Sequence, residues 1–278
     1  LIQATARAIS QVMEQNTTNF PSKDGGAECP HCGEFIPQMK VEILNRTKIV
    51  QPVCECVTRK MKEEEIKRER FVQDKTTKRL FNISTMGEKF ANSTFESFIH
   101  RSGTEKPFKA ARKYVNEFEE FGGTSLGIWG SYGNGKSHIA AAVANELNSK
   151  GHTVVFQTTK DMLDKLKSTF GDKSNFKYDE VIRALVTCDL LVLDDIGAEK
   201  VTEWVEETFF GIIDHRYRKK RPIFYTSNLK PSELHEKIGG RSVDRLSEMC
   251  ITIENKATSY RKELAKERLI NFAKDLEA

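Results

Sequence analysis

Apolar positions follow two rhythms that alternate through most of the chain. Short, nearly continuous apolar runs occupy residues 126–129, 153–157, 188–193, 222–226 and 250–253. Runs of that length suit strands buried on both faces. Between them, apolar residues recur at helical spacing over residues 106–121, 138–147, 161–170, from 179 onward, and 202–217. A last amphipathic helix over 259–276 carries Ala265, Leu269, Phe272 and Leu276. The punctuation agrees with this division. Gly122-Gly123 ends the helix over 106–121, Thr159 is placed to cap the one over 161–170, and Gly171 to end it. Pro231 starts a further helix, which Gly239-Gly240 breaks. Strands alternating with helices predict an α/β fold, a parallel sheet sandwiched between helices.

The early part of the chain has a different texture. Ile2, Ala6, Ile9 and Met13 recur at helical spacing, with Gln3, Arg7 and Glu14 on other faces, which predicts a short amphipathic helix. Packing on the next module and docking on a partner both fit such a helix. Residues 57–79 are densely charged, with Glu63 and Lys67, and Glu64 and Arg68, in the favourable i,i+4 order. This stretch reads most simply as a solvated connecting helix, and alternating signs leave a nucleic-acid-binding face as the weaker alternative. The expected organisation is a module over 1–60, a charged helical linker over 61–87, and the α/β domain over 88–278.

Composition narrows the setting. The 278 residues suffice for one large domain with a substantial core and one smaller module. No apolar stretch approaches the ~18–20 residues needed to span a bilayer. Residues 1–20 lack the basic start and continuous apolar stretch of an export signal. A formal net charge of +4 permits nucleic-acid contact without demanding it. Four of the six cysteines crowd into residues 29–56, while Cys188 and Cys250 stand alone in apolar runs. Without an export signal, such clustering points to a metal rather than disulfides, and to the cytosol. Cys29-Pro-His-Cys32-Gly33 has the form of a zinc knuckle, and Cys54-Glu-Cys56 supplies a second pair, CxC in place of the commoner CxxC. Four thiolates complete a tetrahedral structural Zn²⁺ site. Such a site contributes on the order of 10 kcal/mol to a segment too small for its own core. His31 lies between the ligands and could substitute for one, but is expected to sit beside the site or to be exposed. A redox CxxC is the rival reading, without the strand–helix pattern that would surround it.

The chemistry centres on Gly130-Ser131-Tyr132-Gly133-Asn134-Gly135-Lys136-Ser137, which reads GxxxxGKS between a strand and an alanine-rich helix. That setting is the phosphate-binding P-loop, with His138 as the next residue of the nucleotide-binding stretch. The glycines let successive N–H groups point inward at a polyphosphate, and the helix N-terminus adds partial positive charge. Lys136 would reach the β/γ-phosphates, and the Ser137 hydroxyl would hold Mg²⁺. The apolar run at 188–193 closes on Asp194-Asp195, the Walker B pattern. Asp194 would hold Mg²⁺ through water, and Asp195 would orient and polarise the attacking water. The strand at 222–226 is followed by Ser227-Asn228, an amide placed beside the γ-phosphate. Arg216-Tyr-Arg-Lys-Lys-Arg221 suits the negative end of a helix dipole.

In that order these features resemble an AAA+ ATPase. Residues 88–261 resemble more closely the bacterial DnaC/DnaI helicase-loader family and its relatives, the IstB-like transposition ATPases. The resemblance rests on Lys89-Phe-Ala-Asn-Ser-Thr-Phe95, the P-loop, Leu193-Asp-Asp-Ile-Gly-Ala-Glu-Lys200, Tyr225-Thr-Ser-Asn-Leu229 and Arg241-Ser-Val-Asp-Arg-Leu246. The cysteine-rich module ahead of them looks like the DnaI branch and its phage-encoded relatives. The resemblance implies ATP with Mg²⁺, Asn228 as sensor I, and Arg245 as an arginine finger reaching a neighbouring subunit's ATP. Arg241 is the alternative finger, and a salt bridge with Glu248 or another acid is the structural alternative for Arg245. A finger in trans implies self-association. Arg261 is the candidate sensor II. Two features depart from the wider pattern. Asp-Asp stands where many AAA+ proteins have Asp-Glu, which suggests slow hydrolysis. A single helix follows the last strand, as in the loader and IstB-like group, in place of the usual helical lid.

The function implied is an ATP-dependent loader that binds a DnaB-type hexameric replicative helicase and delivers it onto single-stranded DNA. The zinc module and N-terminal helix would grip the helicase. Residues 160–177 lie where initiator-type AAA+ proteins carry a helix lining a single-strand channel. Lys160, Lys165, Lys167, Lys173 and Lys177 could meet phosphates there, with Phe170 and Phe176 stacking on bases. A solvated face over core phenylalanines is the other reading. A transposition ATPase selecting duplex target DNA and a non-hydrolysing ATP-binding adaptor are the alternative functions.

Overall fold

The computed structural model describes residues 25–43, 46–81, 88–171 and 176–277. The expected helix carrying Ile2 and Met13 therefore lies outside the described residues, as does Lys173. The chain divides into two compact units, Leu1–Phe71 and Val72–Ala278.

In the first unit, β1 (Gly26–Glu28) pairs antiparallel with β2 (Phe35–Pro37), and β3 (Met39–Ile43) with β4 (Arg46–Val50). These hairpins are too short to have shown in the apolar pattern. Phe35, Met39, Ile49 and Val53 are all exposed, while Cys29 and Cys54 are buried. Apolar burial among the described residues is thus too slight to hold these strands, and the cysteine cluster is left as their centre. The charged stretch is helical as expected: α1 spans Glu55–Leu80. Its last residues belong to the second unit, where Leu80 and Phe81 enter the core.

The second unit is built on a five-stranded parallel sheet in the order β6-β7-β8-β5-β9. The strands are β5 (Ser125–Gly130), β6 (Val154–Thr158), β7 (Leu190–Asp194), β8 (Ile223–Ser227) and β9 (Cys250–Asn255). The helices are α2 (Glu88–Ala91), α3 (Glu105–Asn116), α4 (Lys136–Ser149), α5 (Thr159–Ser168), α6 (Tyr178–Thr187), α7 (Glu203–Arg218), α8 (His235–Ile238), α9 (Gly240–Met249) and α10 (Tyr260–Glu277). Alternate strand residues feed two cores. Val155, Leu191, Leu193, Ile223 and Tyr225 pack with Leu166 of α5, Leu185 of α6 and Phe209 of α7. Ile128, Phe156, Leu190, Val192 and Phe224 pack with Tyr114 of α3 and Ile139, Val143 and Leu147 of α4. This two-sided burial is why the strands read as continuous apolar runs. Ala140, Ala141, Ala142 and Ala144 are all buried, so α4 lies close against the sheet with little side-chain bulk between.

Three details differ from the expectations. The helix over 106–121 stops at Asn116, and the chain turns back to set Phe118 and Phe121 against Tyr114. Thr158 rather than Thr159 caps α5, its hydroxyl accepting from the Asp161 N–H at 3.1 Å, which frees Thr159 to face inward. Pro231 opens only a 3₁₀ turn, Pro231–Glu233, ahead of α8. In α10, which forms as expected, the apolar residues Leu269, Phe272 and Leu276 are exposed. The basic run after α7 also does more than balance a dipole. Arg216 is fully buried and donates to the carbonyls of Leu185 (2.8 Å), Cys188 (3.1 Å) and Pro222 (2.6 Å).

Candidate active site

The carboxyl ends of β5, β7 and β8 open on a cleft of about 320 Å³ lined by the P-loop, Asp195, Asn228, Tyr260 and Arg261. This is the crevice where open parallel sheets place their ligands. The P-loop leaves β5 through Gly130, at φ 146°, where a Cβ would stand 2.3 Å from the Asn255 carbonyl of β9. At Gly133, φ 73°, a Cβ would stand 2.5 Å from the Ser259 hydroxyl just ahead of α10. The loop can therefore pack between β9 and α10 only with glycine at both positions. Asn134 is fully buried, its amide donating to the Asn255 carbonyl at 2.9 Å.

Lys136 opens α4, and its Nζ lies near four oxygens: the Gly130 and Ser131 carbonyls (both 2.8 Å), Asn228 Oδ1 (2.9 Å) and Asn134 Oδ1 (3.2 Å). Burial lowers its pKa to about 8 against the opposing pull of Asp195 and Asp194. Asn228 receives Lys136 on its oxygen and donates from its nitrogen to Asp195 Oδ1. One amide thus joins the P-loop cation to the second Walker B carboxylate. Asp195 sits in the left-handed region at φ 63°, a strain of order 1 kcal/mol for a non-glycine residue. Asp194 is buried, which pushes its carboxyl above the usual range, while hydrogen bonds from Thr226 and Ser137 oppose the rise. The Thr226 hydroxyl donates to Asp194 at 2.6 Å and accepts the Asp195 N–H at 2.9 Å, setting the two carboxylates relative to each other.

The other sequence candidates divide. Tyr132 is exposed at the cleft mouth, and Arg261 lines the cleft. His138 also lines it, but its Nε2 lies 2.8 Å from the Thr94 carbonyl, so the ring ties the preceding loop to α4. Arg241 and Arg245 do not line their own chain's cleft. Both stack on Phe210, at 4.3 and 4.9 Å from its centroid, and Arg245 Nε bonds Asp214 at 2.6 Å. Glu248 instead accepts from Tyr217. Among the lysines, Lys165 is turned inward, donating to the Leu80 carbonyl at 2.6 Å and lying over Phe81 and the half-buried Phe176. Lys160, Lys167, Lys177 and Phe170 remain exposed, with Lys160 paired to Asp164 and Phe170 stacked on Tyr178. The sequence reading missed Phe98, Ile99 and Leu264, which wall the cleft, and Thr226. None carries a local signal, since each is an ordinary apolar or strand residue until the chain folds.

In the first unit, the sulfurs of Cys29, Cys32, Cys54 and Cys56 all lie within 4.8 Å of one another, with Cys29–Cys56 and Cys32–Cys54 at 3.5 Å. Thiolates about 2.3 Å from a tetrahedral centre stand about 3.8 Å apart, so the four fit one zinc ion. The backbone N–H groups of His31 and Cys32 point at Cys29 and lower its pKa to about 6. Burial raises Cys54, and the Cys54 and Cys29 sulfurs push Cys56 up to about 12, so metal binding would displace protons from part of the cluster. The His31 side chain is exposed.

The family model described as IstB-like ATP binding protein matches residues 60–268, beginning after the four cysteines. Replicative helicase loader DnaC of Escherichia coli (strain K12) is 32% identical over 170 residues, covering 60% of this chain and 68% of that protein. Replicative helicase loader DnaI of Bacillus subtilis (strain 168) is 33% identical over 129 residues, 46% of this chain and 40% of that protein. A crystal structure of the DnaC helicase loader matches 61% of this chain and 100% of its own with a TM-score of 0.55. At 24% identity that likeness is one of fold.

Proposed function

The chain belongs to the family of IstB-like ATP binding proteins, with an AAA+ P-loop fold, and from that premise we propose that it is an ATP-dependent helicase loader. In this reading it binds a DnaB-type hexameric replicative helicase and delivers it onto single-stranded DNA during replication initiation. The observation that carries the reading is the Lys136–Asn228–Asp195 chain of bonds, set in a sheet whose relatives are named as loaders.

The cleft takes ATP with its triphosphate against the P-loop N–H groups and Lys136, which exchanges its internal oxygens for phosphate oxygens. Ser137, in the first turn of α4, is hydrogen-bonded to Asp194 at the end of β7, and their oxygens would hold Mg²⁺, Asp194 through water. When bound, that ion adds positive charge beside the β- and γ-phosphates. Asp195, oriented by Asn228, draws the proton of a water as its oxygen bonds the γ-phosphorus and the bond to the β–γ bridging oxygen breaks, leaving ADP and phosphate. Arg245, or Arg241, completes the site of a neighbouring subunit. The four cysteines hold Zn²⁺, and the module they fold grips the helicase. Exposed Lys160, Lys167, Lys177 and Phe170 are the candidates for contact with a single strand.

Light scattering on the full chain mixed with a DnaB-type helicase from its own host tests this reading. A co-complex with ATP that loses its helicase when residues 1–80 are deleted supports it. No complex with or without ATP, and tight duplex DNA binding in its place, would move the assignment to a transposition ATPase.

A further inference from the structure

We infer that Arg101 is a positioning residue for nucleotide binding, acting through the first turn of α10 to hold Arg261 against the P-loop. The inference rests on reading the cleft as the nucleotide site.

Arg101 lies in the loop before α3. Its side chain is only 13% exposed, although it belongs to neither the P-loop nor the Walker B strand. Its guanidinium reaches three separate segments. Nη1 donates to the Thr258 carbonyl at 2.8 Å and to Glu263 Oε1 at 3.2 Å. Nη2 donates to the Asn134 carbonyl at 3.2 Å, inside the P-loop. The plane lies 5.0 Å from the Tyr260 ring centroid. The planar fork of arginine suits this task, since a lysine ammonium cannot span the carbonyls and the carboxylate in one geometry. The Arg101 backbone is fixed as well, its N–H donating to the Thr104 hydroxyl (3.1 Å) and its carbonyl accepting from it (2.6 Å).

What Arg101 grips is the part of α10 that faces the cleft. Tyr260, Arg261 and Leu264 line the cleft, whereas Leu269, Phe272 and Leu276 further along are exposed. The helix is therefore anchored by its first turn. Around that turn, Thr258 donates to Glu263 at 2.6 Å, and the Tyr260 N–H donates to the Gly133 carbonyl at 2.9 Å. Arg101 is a charged group that ties this turn to the loop holding the phosphates. Arg101 itself lines no part of the cleft, so its effect on a nucleotide passes through the residues it holds.

The test is a titration of the full chain with a fluorescent ATP analogue, for the wild type, Arg101→Ala, Arg261→Ala and the double variant, with melting curves recorded without nucleotide. Arg101→Ala is expected to weaken binding about tenfold, and by less than about twofold once Arg261 is already alanine, because contacts in one network are not additive. Equal losses in both backgrounds, or no loss in either, overturn the inference. If Arg101→Ala melts without a folded baseline, Arg101→Lys replaces it, with a smaller loss that must again depend on Arg261. Should the wild type fail to bind, or bind no better than Lys136→Ala, the reading of the cleft itself fails. Binding by the wild type with unchanged affinity in Arg101→Ala sinks the positioning role alone.

Discussion

Lys136 meets four protein oxygens at the mouth of α4, and a triphosphate in the cleft competes with those oxygens for the same ammonium. Its charge is already depressed by burial to a pKa of about 8. Phosphate binding needs the protonated form, so binding above that pH takes up a proton. Nucleotide affinity is expected to hold below pH 8 and then fall by up to about tenfold per pH unit, which titration across pH 7–10 measures. The neighbouring carboxylate has a separate task. Asp195→Asn keeps the shape and the bond partner of Asp195 but cannot accept a proton, so phosphate release is expected to fall about a hundredfold or more while nucleotide affinity stays within about threefold. At this scale the P-loop, both aspartates and Asn228 were legible because each sits at a fixed offset from a strand end. Thr226 was not, since threonine is an ordinary strand residue and only the β7–β8 pairing sets its hydroxyl between Asp194 and Asp195.

The elements owe their stability to different sources. At the end of α7, Arg216 gathers carbonyls from the loop after α6 and from the start of β8, with burial lowering its pKa. Arg216→Ala strands those buried acceptors and opens a cavity, and urea unfolding should show a loss of about 3 kcal/mol. The cysteine-centred hairpins lack a comparable core. Chelation is expected to release one zinc per chain and to abolish amide protection in residues 25–56, while the melting of the parallel sheet is unchanged. Hydrogen exchange with and without chelator measures both. The periodicity of α10 predicted an amphipathic helix, and Leu269, Phe272 and Leu276 of its apolar face are exposed. A repeat along a helix states only that one face is apolar, whatever does or does not cover it.

For the whole molecule the decisive feature is that Arg241 and Arg245 stand on Phe210, away from their own cleft. If either serves a neighbour, Lys136→Ala and Arg245→Ala subunits are each inactive alone. Mixed, they should recover part of the ATPase activity, because some interfaces then pair an intact P-loop with an intact arginine. Phosphate release from mixtures of fixed total concentration measures this, and activity at or below that of the separate variants argues against a shared site. The division into units belongs to this scale too. It falls at Phe71–Val72, inside α1, where an unbroken charged helix offers no composition change to mark it.

The sequence by itself determined the alternation of strands and helices, the P-loop, the Walker B carboxylates, Asn228 and the clustering of four cysteines. Each of these is a local pattern, because burial on both faces or the reach of a backbone turn dictates residue types a few positions apart. Only the tertiary structure decided the strand order, which residues wall the cleft, and which cations face solvent. Lys165 and Lys167 are two residues apart on the same helix, yet one is held by the Leu80 carbonyl and the other is exposed. Arg101 reaches Glu263, Arg216 reaches Cys188 and Thr226 reaches Asp194, which lie 162, 28 and 32 positions away. Contacts of that range leave no period in the chain, and they form only once the sheet has brought their partners together.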